Sequence, residues 1–105
     1  MGLRILRRLR AAQDAEDIAD DIANDSLETA VRFLENTEST LRELAESPGI
    51  GSPFESDHPE LANLRFRRVN GFPNHVIFYF EHTAAIEVVR ILHGARDLDT
   101  ELRKS

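Results

Sequence analysis

The chain has 105 residues, of which 41% are hydrophobic, enough to build one core and too few for two, so a single domain spanning residues 1–105 is expected. It contains no cysteine, which excludes disulfides, thiolate metal sites and a cysteine nucleophile and fits a reducing cytoplasm. The net charge of -6 argues against bulk affinity for nucleic acid, whose electrostatic term needs a strongly cationic surface.

That charge is unevenly spread. Residues 1–10 carry four arginines and no acid, residues 11–46 carry eleven acids against two arginines, and from Leu64 onward basic residues lead seven to five. An acidic helical side and an arginine-bearing sheet side imply two surfaces with different partners. No apolar run approaches the roughly 18 residues needed to span a membrane. The N-terminus mixes arginine with leucine instead of forming a secretory apolar segment, so a soluble, cytoplasmic protein is expected.

Leu3 to Arg8 reads as a short edge or second-row strand. From Ala11 the period changes: Ala15, Ile18, Ala19, Ile22 and Ala23 follow the spacing of one apolar helical stripe. Asp25 with Glu28 has the spacing of a capping box, so a second helix is expected to begin there. Its stripe is read as Leu27, Ala30, Val31, Leu34, Leu41, Leu44 and Ala45, with Phe33 at its flank. Ser47, Pro48 and Gly49 end it, giving a helical hairpin from about Ala11 to Glu46.

Three prolines and two glycines between Ser47 and Asn63 predict an irregular loop. Asp57, His58 and Glu60 cluster within it, but nothing supplies a third ordered ligand, so no metal site is expected. Leu64 to Val69 alternates apolar residues with Arg65 and Arg67 and runs into Asn70-Gly71, a two-residue hairpin signal. His75 to Glu81 and Ile86 to Leu92 follow as a central antiparallel hairpin whose near-continuous apolar character implies cover on both faces. Leu98 to Ser105 reads as a polar, frayed tail with at most one helical turn. The expected fold is α+β, in the order β-α-α-β-β-β, with the two-helix hairpin packed on one face of a small antiparallel sheet. Val76, Phe78, Phe80 or their neighbours would meet Ile18, Ile22, Leu34 and Leu41. The opposite face would be left with Arg65, Arg67, Tyr79, Arg90 and His93, and function is sought there.

No serine lies in a nucleophile elbow, and Gly49 and Gly51 have neither the preceding strand nor the lysine of a phosphate loop. Without a cofactor motif, none is expected. The constellation with chemical content is Arg65, Arg67, Arg90, His93 and Arg96, with Tyr79 nearby. Histidine exchanges protons near neutral pH and arginine stabilises charge on a phosphate in transfer, which would suit a metal-independent ribonuclease. Arginine is equally the preferred anchor for carboxylates at a protein interface, and partner binding is favoured over catalysis.

Four segments together resemble one family: LRILRRLRAAQDAEDIADDIA, FLENTESTLRELAESPGIG, LRFRRVNGFPNHVIFYF and the closing VRILHGARD. They resemble the ParE-type toxins of bacterial type II toxin-antitoxin modules, within the RelE/ParE superfamily. The resemblance implies two helices on a small antiparallel sheet. It also implies a protein that poisons DNA gyrase until a ParD-type antitoxin neutralises it in a hetero-oligomer. Such antitoxins pair a ribbon-helix-helix DNA-binding half with a C-terminal segment that wraps the toxin, for which a helical hairpin and a sheet edge are suitable docking sites.

On that reading no residue is catalytic, and Arg65, Arg67, Tyr79, Arg90, His93 and Arg96 are the expected antitoxin contacts. Replacing Arg90 with alanine is expected to weaken antitoxin binding more than replacing Arg103. Neither direct nucleic-acid binding nor membrane binding is expected. The alternative is a ribosome-dependent messenger RNA endonuclease of the RelE type, with Arg65, Arg67, Arg90 and His93 in catalytic roles. A further alternative is an inactive, antitoxin-binding relative.

Overall fold

The computed structural model describes residues 2–94 and 97–103. Strand β1 (Arg4–Arg7) leads directly into helix α1 (Leu9–Ala23), and α2 (Leu27–Glu46) returns beside it. A two-residue strand β2 (Ser52–Pro53) precedes β3 (Arg65–Val69), β4 (Phe72–Glu81) and β5 (Ala85–His93), and α3 (Leu98–Arg103) closes the described chain. The five strands form one sheet in the order β1-β5-β4-β3-β2. The α+β arrangement matches the sequence reading, but β1 lies parallel to β5, so the sheet is mixed, and β2 adds a further strand from the segment expected to be an irregular loop. Parallel neighbours need a long connection, and the helical hairpin together with β2 to β4 supplies it.

Local chemistry sets the joints. Ser26, in extended geometry, caps α2 by accepting the Thr29 amide at 3.1 Å, so the cap falls one residue after the expected Asp25. Asn70-Gly71 is the turn between β3 and β4, with Val69 opposite Phe72 and Gly71 at φ +77. A side chain at Gly71 would also crowd the Asn36 amide, which donates to the Asn70 carbonyl at 3.0 Å. Three residues, Pro73 to His75, then bulge out before Arg68 meets Val76, which gives a proline without an amide donor a place in the strand.

The core has two layers. On the helix side, Ala11, Ala19, Phe33, Leu41, Ile77 and Tyr79 pack together, and Val88 and Ile91 extend the cluster along β5. The sheet contributes Ile77 and Tyr79, the neighbours of the alternating set first considered. Phe33, read as flanking, is fully buried, whereas Leu34 is 41% exposed and does not pack as expected. The reason is that two threonines complete the buried row. Thr37 and Thr40 turn their hydroxyls back to the carbonyls of Phe33 and Asn36, at 2.8 and 2.7 Å, and so hide polar atoms in an apolar seam.

The second layer overturns two expectations. The sheet face away from the hairpin is not open: Val76, Phe78, Val89 and Leu92 pack with Leu61 of the long loop, Leu64 just before β3 and Leu102 of α3. Phe54 stacks edge-on against Phe78, with ring centroids 5.5 Å apart. Residues 98–103 are therefore helical, with Leu102 only 2% exposed, where a frayed tail was expected. Burying both faces of β4 and β5 is what their continuous apolar runs require.

Candidate functional site

The candidate residues separate into places that the sequence did not distinguish. Arg65 and Arg67 stand opposite Tyr79 and Ile77, so they share the helix-side face of the sheet, not the face where they were expected. Both are half-buried, and Arg65 donates to the Gly51 carbonyl at 2.6 Å. Tyr79 is fully buried, in contrast to the exposed position expected of it. Its hydroxyl donates to the Pro48 carbonyl at 2.5 Å and accepts the Gly51 amide at 3.1 Å, and burial pushes its phenol above the ordinary value. Tyr79 thus pins the turn after α2 to the sheet. Gly51 is needed for this approach, because a Cβ there would fall 2.1 Å from the hydroxyl oxygen.

Arg90, also expected on an open face, is 3% exposed. Its Nε and Nη2 donate to the two carboxylate oxygens of Asp14 at 2.7 and 2.9 Å, and Nη1 reaches the Glu101 carbonyl at 3.2 Å. Asp14 Oδ2 also accepts the Ile91 amide at 3.0 Å. The arrangement follows from topology. Strand β1 pairs with β5 only as far as Val88, and beyond that point α1 brings Asp14 to the uncovered edge. A bulge at Phe78/Tyr79 places both Val89 and Arg90 between the helix-facing Val88 and Ile91, which breaks the alternation and turns Arg90 aside. One ion pair therefore joins α1, β5 and α3.

Asp14 is the residue the sequence reading missed. The signal was present: Asp14 falls with Ala11 and Ile18 at i, i+3 and i+7 on the buried side of α1, and a lone arginine in VVRIL requires a buried partner.

His93 ends β5 exposed, opposite His75, with the ring centroids 5.5 Å apart and nearly perpendicular. His75 also meets Phe33 edge-on at 5.3 Å. Burial first, and then the neighbouring His93, hold the His75 imidazole below its ordinary value. A cleft of about 640 Å³ opens here between α1 and β5, lined by Arg10, Asp17, Asp21, His75, His93 and Glu101 among others. Arg96 lies outside the described residues. Among the described residues no group of His, Cys, Asp or Glu could hold a metal ion, and His58 stands 4.0 Å from Glu60.

The depressed His75 value has a definite sign. The unfolded chain takes up the proton at higher pH than the folded one, so stability present above the unfolded value of about 6.5 is lost as pH falls through the folded value. The His75→Phe variant should flatten this acid-side loss. Urea midpoints at pH 8 and pH 5 measure it, and parallel profiles for the two proteins would contradict it.

Arg65 and Arg67 are separated from Arg90 by the intervening strand β4, and the Arg90 guanidinium is saturated at the opposite edge by Asp14. The set proposed for phosphate chemistry therefore does not converge on one point. What the geometry offers is a small sheet stabilised on both faces, a hairpin with an acidic solvent side, and no helix among the described residues long and apolar enough to cross a membrane.

Residues 5–98 match the family described as the ParE toxin of the type II toxin-antitoxin system parDE, and the chain belongs to that family. No curated protein sequence matches it. Solved structures share the fold. A chain from a chromosomal ParDE toxin-antitoxin system of P. aeruginosa superposes with a TM-score of 0.69 at 16% identity, covering 87% of this chain and 95% of that one. The toxin-antitoxin complex RelBE2 of Mycobacterium tuberculosis gives 0.59 at 17% identity, covering 91% and 95%. A YoeB/ParE toxin of Agrobacterium tumefaciens gives 0.60 at 17% identity, covering 87% and 98%.

Proposed function

We propose that this toxin acts in the cytoplasm by inhibiting DNA gyrase and is held inactive by a ParD-type antitoxin. The observation that carries the proposal is the family match over residues 5–98, which takes in β1 from Ile5, the hairpin and the rest of the sheet. The fate of Arg90 supports inhibition by binding over nuclease chemistry. A guanidinium bonded to both oxygens of a carboxylate has little left to offer a phosphate in transfer. We assign Arg65, Arg67 and His93 to direct antitoxin contact, and give Arg90 and Tyr79 the role of holding the surfaces that carry those contacts.

The experiment is induced expression in growing bacteria with DNA and protein synthesis followed by labelled thymidine and leucine. A gyrase poison stops thymidine incorporation first, and co-expression of the protein encoded beside this chain restores it. Immediate loss of leucine incorporation with cleavage of translated messenger RNA would overturn the proposal in favour of a RelE-type endonuclease.

A further inference from the structure

Helix α2 carries an apolar row that the core does not use. Leu27, Val31 and Leu34, at i, i+4 and i+7, are 71%, 48% and 41% exposed. Aliphatic side chains in a continuous helical row at this exposure mark a surface built to be covered. Alongside them stand Glu28 and Glu35, three residues before and four after Val31, both exposed. Neither takes part in a hydrogen bond or ion pair among the described residues. Helix α1 adds Glu16 and Asp20, both exposed and neither lining the cleft toward β5, whereas the exposed bases of the two helices are only Arg10, Arg32 and Arg42. A partner bringing carboxylates to this surface would meet like charge, and one bringing lysine or arginine would meet complementary charge.

Resting on the reading that an antitoxin covers the hairpin, we infer that the segment lying on Leu27, Val31 and Leu34 is a cationic amphipathic helix. Its apolar face fills the row and its lysine or arginine flank pairs with Glu28 and Glu35. Two charged residues at the border of an apolar row act mainly on encounter and selectivity, while the row itself supplies affinity. The surface is thus selective for the sign of its partner.

Two synthetic helical peptides test this against the full chain by fluorescence anisotropy. They share leucines at i, i+4 and i+7 and differ only in lysine or glutamate flanks. The lysine peptide should bind about tenfold tighter at low salt, with the preference collapsing at 0.5 M salt. Glu28→Lys with Glu35→Lys should reverse the preference, and Val31→Asp should weaken both peptides. These sites are exposed, and circular dichroism verifies that each variant keeps its fold. Equal binding, tighter binding of the glutamate peptide, no binding of either, or a self-dimer abolished by Val31→Asp would each overturn the inference. The antitoxin reading fails separately, if the protein encoded beside this chain does not co-purify with it.

Discussion

Replacing Arg90 with alanine is expected to cost about 3–5 kcal/mol of folding stability, the loss typical when one partner of a buried ion pair is removed. The Arg90 and Asp14 side chains are 4% and 11% exposed, so neither charge can recover its hydration in place. Asp14→Ala should cost a similar amount, because it abandons the guanidinium and also orphans the Ile91 amide. A domain of this size has about 5–15 kcal/mol in total, so either variant would lie close to unfolding. Replacing both, Asp14→Leu with Arg90→Met, should recover much of the loss, since a hydrophobic pair of similar volume commonly matches a buried ion pair. Urea denaturation of the four proteins measures this, and single variants within about 0.5 kcal/mol of the parent would show that the pair is solvated. Any weakening of antitoxin binding by Arg90→Ala must be read against this stability loss.

Phe78→Ala should be comparably damaging, about 3–5 kcal/mol. Phe78 is fully buried on the face away from the hairpin, where it meets Phe54 and Phe66. Leu102→Ala, in the last helix, should cost about 2 kcal/mol or more. This second value is the sharper test of the two-layer core: a side chain on a frayed tail would change stability hardly at all. Thermal or urea unfolding decides between them.

Strands β1, β3, β4 and β5, the helical hairpin and the Asn-Gly turn were legible in the sequence because period and turn chemistry act locally, whereas the two-residue β2 lay within a segment read as irregular loop. The parallel pairing of β1 was not, since nothing within RILR states which strand it will join. The cover on the second face was half legible. The runs HVIFYF and AIEVVRIL demanded it, but the covering residues Phe54, Leu61 and Leu102 are scattered through segments without periodicity. The site suffered most. Tyr79 and Arg90 were read as surface groups because polar side chains in a strand ordinarily face water. Their burial depends on Gly51, Pro48 and Asp14, which lie 28, 31 and 76 residues away in the chain.

For gyrase, the most direct measurement is supercoiling of relaxed plasmid by purified gyrase at increasing concentrations of this chain, with and without the protein encoded beside it. A dose-dependent loss of supercoiling, with gyrase-linked DNA cleavage that the partner abolishes, is the predicted result. Supercoiling unchanged in the presence of folded, partner-free toxin would contradict it.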